Sequence, residues 1–410
     1  MTALFVGEKR VEPVDERLFK MKQSAQHYAS ISSGLAGLSM GGSAIAPART
    51  ANSTTWSVAN ATPTEQPNRE PSKPKEPAPP HEIVRRMKKM LDVLHPRIEA
   101  WWKGRGTEYP DWCSEIFLPH RAWYEIMATS PMALKIEDER HPPEYCCYRL
   151  IHSLSAICSW RYTQGIYRFA PNFLKELCNS PLVGTVPVEL FFRLPQWSIY
   201  VETPGFTYKN EALHGFWAQI LERSDGDYEL NIVLNLAKDL ITGCFLLREG
   251  LTLREILAVS AQDVGKDGAE CDFLAEFFTP LFSLLLYLCS QEPDIVSARG
   301  KGERPENARL QNTKRGWRLF PAAGPHFWKI GDTFEHAVST YRHALNRAKR
   351  SGVSERVIRT HFRRAHWHTY LTGPRPKPGQ KSNQKPVLHW LAPMIVHGSR
   401  TTPEPNEQPT

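Results

Sequence analysis

The sequence predicts an α+β domain: an antiparallel β-sheet meander packed with helices, closed by a C-terminal β-hairpin and preceded by a disordered extension. Three observations carry this. Between about Val186 and Leu236 the apolar residues take a strand-like period, with turn residues between the runs. On both sides of that segment the spacing returns to the three and four of an amphipathic helix. The first 80 residues show neither pattern.

Those residues include SISSGLAGLSMGGSAIAPARTANSTT and then ATPTEQPNREPSKPKEPAPP, which holds seven prolines in twenty residues. Such a segment buries too little apolar surface to offset chain entropy and reads as a flexible extension over 1–80. A single α+β domain is expected over 81–398, with a disordered tail at 399–410. In HEIVRRMKKMLDVLHPRIEAWW, Ile83, Met87, Met90, Leu94, Ile98 and Trp101 mark one helical face, and Pro96 is expected to bend or break it. A second helix is expected from Glu144 to Tyr162.

VPVELFFRLP, WSIYVETPG and LHGFWAQILERSDGDYELNIVLNL then read as consecutive strands. Turns are expected at Leu194-Pro195-Gln196, Pro204-Gly205 and Asp225-Gly226-Asp227. Thr252 followed by Glu255 is a capping-box pattern at a helix start. FFTPLFSLLLYLCS is uncharged for only about 15 residues and contains Pro280, so it reads as a core helix over Cys271–Ser290 rather than a membrane span. SARGKGERPENARLQNTKRG reads as a basic loop, with Glu292 and Asp294 ending the core helix before it. GDTFEHAVSTYRHALNRAKR reads as an amphipathic helix. IRTHFRRAHWHTYL is expected to pair with VLHWLAPMIV.

The formal charge of +8 is unevenly placed. From Tyr341 to Lys385 there are 12 Lys and Arg against one acid, Glu355, which leaves 39 basic and 42 acidic residues elsewhere. A local basic stripe suits RNA, ribosome or acidic-peptide contact; the plainer reading is a solvated basic loop. The eight cysteines form no C-x-x-C pair and read as buried free thiols of a cytoplasmic protein. The N-terminus lacks the apolar core of a signal peptide, and no membrane association is expected. P-loop, dinucleotide-glycine, H-E-x-x-H and G-x-S-x-G motifs are absent, so no cofactor is expected.

The densest constellation is HFRRAHWHTY. As a strand it places Arg364, His366, His368 and Tyr370 on one face, and His361, Arg363 and Trp367 on the other. Two histidines and an arginine suit phosphate binding, acid–base cleavage of RNA, or a metal. A metal needs a third ligand, for which His389 on the partner strand is a candidate; no metal site is assigned. The plainer reading is a polar cluster that fastens the hairpin to the core. Trp197, Trp217, Trp367 and Trp390 fall on expected strands. Tryptophan there either lines a groove for a peptide or base, or is core; core is favoured for Trp197 and Trp217. The candidate binding surface is Arg363, Arg364, His366, Trp367, His368 and Tyr370, with Trp197 and Trp160.

Four stretches, ICSWRYTQGIYRF (157–169), VELFFRLPQWSIYVETPG (188–205), LLLYLCSQEPDI (284–295) and IRTHFRRAHWHTYLTG (358–373), resemble type V-A anti-CRISPR proteins in order and spacing. The likeness spans about Tyr145 to His397. It implies a non-enzymatic inhibitor from a phage or mobile element. Such a protein would bind the nascent N-terminal polypeptide of a type V nuclease in the bacterial cytoplasm, with loss of the nuclease's message and contact with the ribosome or mRNA. No catalytic residue set comes with the resemblance. The alternative is an RNA-binding protein or ribonuclease that uses the same Arg/His cluster.

Overall fold

A computed structural model describes residues 78–128 and 143–336, with short breaks at 181, 183–184, 187, 224–225, 238, 264–267 and 301. Toward the C-terminus it describes 361–363, 366–374, 385–391 and 394–396. The expected extension up to 77, the tail, and most of the basic stripe lie outside the described residues.

Proline starts helix α1 (Pro80–Arg86), where its missing N–H has no intrahelical partner to lose. Helix α2 (Lys88–Gly104) follows after an offset at Met87, so the expected break comes nine residues before Pro96, which lies inside α2. The physical reason is exposure. Pro96 and Asp92, whose carbonyl loses its bond, both face solvent. The inner face of α2 buries Leu91, Leu94, Ile98, Trp101 and Trp102. Helices α3 (His120–Ala128) and α4 (Pro143–Trp160) complete this layer.

The sheet has eight strands among the described residues, in the order β6-β5-β4-β2-β1-β10-β7, with β3 beside β4. The strands are β1 (Gly165–Phe169), β2 (Ser198–Glu202), β3 (Thr207–Tyr208), β4 (Glu211–Glu222), β5 (Tyr228–Leu236), β6 (Leu240–Leu247), β7 (Ile295–Ser297) and β10 (His326–Ile330). The expected β4–β5 hairpin is present, and Gly226 takes φ +88° in its turn. The sheet is mostly antiparallel but wider than the predicted meander. Strands β1, β6, β7 and β10 were not anticipated, and β1 runs parallel to both β2 and β10. One expected strand is absent: Val188–Arg193 is a 3₁₀ helix, and Trp197 sits in the bend before β2. Its apolar run VELFF is too short to separate strand from buried helical turn by periodicity.

Helices α5 (Pro171–Cys178), α6 (Leu253–Asp263) and α7 (Gly268–Leu288) belong to the opposite layer. The predicted capping box opens α6: Thr252 N donates to Glu255 Oε2 at 2.7 Å, and Glu255 N donates back to Thr252 Oγ1 at 3.3 Å. Residues Cys271–Leu288 of α7 are long and apolar enough to cross a membrane by composition. In this fold Phe278, Leu281, Phe282, Leu285 and Leu288 are buried in the protein, as in a core helix. Asp294 lies past the end of α7 and accepts Thr333 N at 2.8 Å, holding the start of the next helical segment rather than ending α7. The expected basic loop contains a small hairpin, β8 (Gln311–Thr313) with β9 (Gly316–Arg318). Buried Glu99 of α2 accepts Arg318 Nε at 2.7 Å and Leu319 N at 3.1 Å, which ties that hairpin to the first layer.

Two cores follow from strand alternation. Phe216, Ala218, Ile220, Leu230, Ile232 and Leu234 face α5, α6 and α7. Trp217 and Val233 face α2, α3 and α4, beside Tyr200 and Ile166.

Candidate functional site

The C-terminal cluster is carried by β12 (His366–Thr372), paired antiparallel with β13 (Lys385–Leu391). The register sets Trp367 opposite Trp390 and His368 opposite His389, so each pair shares a face. The inner face docks the hairpin. Trp367 is buried in the main core. Trp390 meets Phe173 of α5 edge-on at 5.0 Å, and its indole N–H donates to Ser180 Oγ at 3.0 Å. The outer face carries His366, His368 and Tyr370, as the period-2 reading expects. Ring centroids lie 6.4 Å apart for His366 and His368, 4.5 Å for His368 and Tyr370, and 5.3 Å for Tyr370 and His389. His368 and Tyr370 are exposed, while His366 and His389 are half-buried. This is a polar aromatic strip, able to stack on a flat group or hydrogen-bond an extended chain.

Arg363 closes β11 (His361–Arg363), which pairs with β14 (Met394–Val396). Its backbone is therefore beside the cluster in sequence but on a separate ladder. Arg364 lies outside the described residues. Trp160 and Trp197 are corrections, because both are core residues rather than a groove. Trp160 is fully buried at the end of α4 and its indole donates to Gly165 O at 2.7 Å. Trp197 packs on Trp102 at 4.8 Å and donates to Ser114 O at 3.1 Å. Neither indole face can stack on a partner.

Sequence reading missed a second constellation. His152 of α4, Glu229 of β5 and Cys244 of β6 bring one ligand-type atom each within 4.8 Å of one another. His152 and Glu229 are buried and share a 2.5 Å hydrogen bond. Burial works against the His152 charge, but Cys244 and Glu229 beside it raise its pKa well above the ordinary imidazole value. Burial likewise opposes the Glu229 charge, yet His152, with Arg223 beyond it, lowers the carboxyl pKa below its usual value. Around them, Asn231 Nδ2 donates to His152 O at 2.8 Å and Ser153 pairs with Thr242 at 2.9 Å. The available signal was the alternation Glu229, Asn231, Asn235 along β5, which looks like a solvent-facing strip.

The sequence profile of the AcrVA2-like family, the anti-CRISPR type V subtype A2 family, matches residues 167–398. The chain belongs to this family. The AcrVA2-like match begins inside β1 and runs past β14, so it takes in Glu229, Cys244 and the whole hairpin. His152 and helices α1–α4 precede it. The chain is also similar to Protein FinQ of Escherichia coli, at 25% identity over 273 residues, covering 60% of this chain and 76% of that protein. Its fold is similar to the crystal structure of AcrVA2, with a TM-score of 0.55 and 20% identity over 77% of this chain and 99% of that one.

Proposed function

We propose that this protein is a non-enzymatic anti-CRISPR inhibitor of type V-A systems. In this reading it binds the nascent N-terminal polypeptide of the type V effector nuclease, and the nuclease's message and protein levels fall as a result. Membership of the anti-CRISPR type V subtype A2 family is the observation that carries the reading. The hairpin supplies a docking chemistry. Among the described residues, β12 and β13 pair only with each other, so an extended chain can add to an outer edge. His368 and Tyr370 stand on the exposed face beside it. The basic stripe around the hairpin favours work near ribosomal RNA, where phosphate contacts are salt-sensitive and largely sequence-blind.

The test is a titration of the full chain against a peptide from the N-terminus of a type V-A nuclease. A scrambled peptide and a single-stranded RNA run alongside at two salt concentrations. Saturable binding of the native peptide alone is the expected result. Binding of RNA alone, weakening steeply with salt, overturns it. That outcome would put the RNA-binding or ribonuclease reading of His366 and His368 first.

A further inference from the structure

Cys244 differs from Cys113 and Cys178 in its neighbours. Among the described residues Cys113, Cys178, Cys244 and Cys271 are each half-buried and free of disulfides. Cys113 is pushed up to about 11 by burial and by Glu115, to which its thiol donates. Cys178 is pushed up to about 12 by burial alone. Cys244 instead lies on the edge strand β6, beside an imidazole that is itself oriented by a buried carboxylate. A thiol beside a buried imidazole that a carboxylate holds charged is an arrangement that stabilises a cysteine thiolate.

The surrounding groups support this order. Glu229 is anchored on its other oxygen by Arg223 Nη1 at 3.7 Å, and the charge of His120 also acts on it. Asn231 donates an N–H to the His152 carbonyl and accepts the Cys244 thiol on its Oδ1 at 3.9 Å. A metal ion fits less well. His152 and Glu229 are bonded to each other rather than spaced around a void, and a guanidinium stands behind the carboxylate.

We propose that Glu229, His152 and Cys244 form a relay that makes Cys244 a nucleophilic thiol and the protein's site of oxidation by hydroperoxides. The thiol proton passes to water, and the charged His152 faces the thiolate that remains. The sulfur attacks one peroxide oxygen, an S–O bond forms and the O–O bond breaks. The other oxygen leaves with the bonding pair, as hydroxide from hydrogen peroxide or alkoxide from an organic hydroperoxide, and takes the proton from His152 to become water or an alcohol. The sulfur is oxidised to a sulfenic acid and the peroxide is reduced. The site owes nothing to the peptide-binding reading.

The full chain is treated with hydrogen peroxide at neutral pH in the presence of dimedone, which traps sulfenic acids. Labelling at each cysteine is followed by mass spectrometry. Cys244 is expected to label about tenfold faster than Cys113, Cys178 and Cys271, and Glu229→Gln is expected to remove most of that lead. Equal rates in the wild-type chain overturn the proposal without need of any variant. Stoichiometric zinc in the purified chain, lost in Cys244→Ser, also overturns it in favour of a metal site.

Discussion

The two faces of the central sheet are both buried, but by different means. Toward α5, α6 and α7 the strands present Phe216, Ala218, Ile220, Leu230, Ile232 and Leu234, and meet Phe278, Leu281 and Phe282. Toward α2, α3 and α4 they present Trp217 and Val233, but also Gln219, Glu229, Asn231 and Asn235. Gln219, Glu229 and Asn231 are matched to α4, while Asn235 Nδ2 donates to Ala78 O and Tyr200 Oη. Gln219 Nε2 donates to Ser155 Oγ at 2.5 Å, Ser198 Oγ donates to Ala156 O at 2.9 Å, and Asn231 holds the His152 carbonyl. An apolar face is held by area and tolerates repacking. A polar buried face works in only one arrangement, because every unmatched group carries a desolvation cost. The difference teaches where chemistry can reside: the α4 face has the directional contacts and the perturbed groups.

The contrast is broken most directly on the apolar side. Phe282→Ala removes a fully buried ring that meets Phe191 at 5.7 Å and Phe245 at 5.2 Å. It should lower unfolding free energy by about 3–5 kcal/mol in a denaturant titration. On the polar side, Glu229→Gln keeps the shape and removes the charge. A smaller loss of about 1–3 kcal/mol is expected, since His152 can shed its proton. Its signature is the pH dependence. The raised His152 stabilises fully below the ordinary imidazole value of 6.5, and that stability is lost as pH rises through its folded value. The depressed Glu229 stabilises above the ordinary carboxyl value of 4.5, and that part is lost as pH falls through its folded value. The melting-temperature gap between wild type and Glu229→Gln should therefore be widest between those two values and narrow on either side. A gap constant with pH would show that the pair is an ordinary neutral hydrogen bond. The smallest effect belongs to the surface. His368→Ala should change stability by less than about 0.5 kcal/mol, because the side chain is exposed and the hairpin docks through the opposite face. A clear fall in melting temperature would make the histidine strip a structural fastening instead.

Local signals were read well where one residue type has one use. Thr252 and Glu255 announced their cap, Gly226 its turn, and the alternation through His366, Trp367, His368 the two faces of the hairpin. Signals failed where the decisive neighbour is distant. Strand β1 is five residues long, and its register partners in β10 are about 160 residues away, such as Ile166 opposite Phe327. Nothing in GIYRF specifies a parallel neighbour on each side. Trp160 and Trp197 looked like a binding surface because tryptophan reads the same in a groove and in a core. Only their indole bonds to Gly165 O and Ser114 O separate the two.

By itself the sequence determined the fold class, the helical and strand periods, the cap and turn chemistry, and the resemblance to type V-A anti-CRISPR proteins. Tertiary structure alone decided which polar residues leave water. Glu229, Asn231 and Asn235 alternate with apolar residues as they would on a solvent-facing strand. A period of two records only that the two faces differ, not what covers the polar one. Helix α4 covers it here, and in doing so sets His152 against Glu229, 77 residues away in sequence. Away from water, these two charges balance each other and leave Cys244 at the sheet edge beside them.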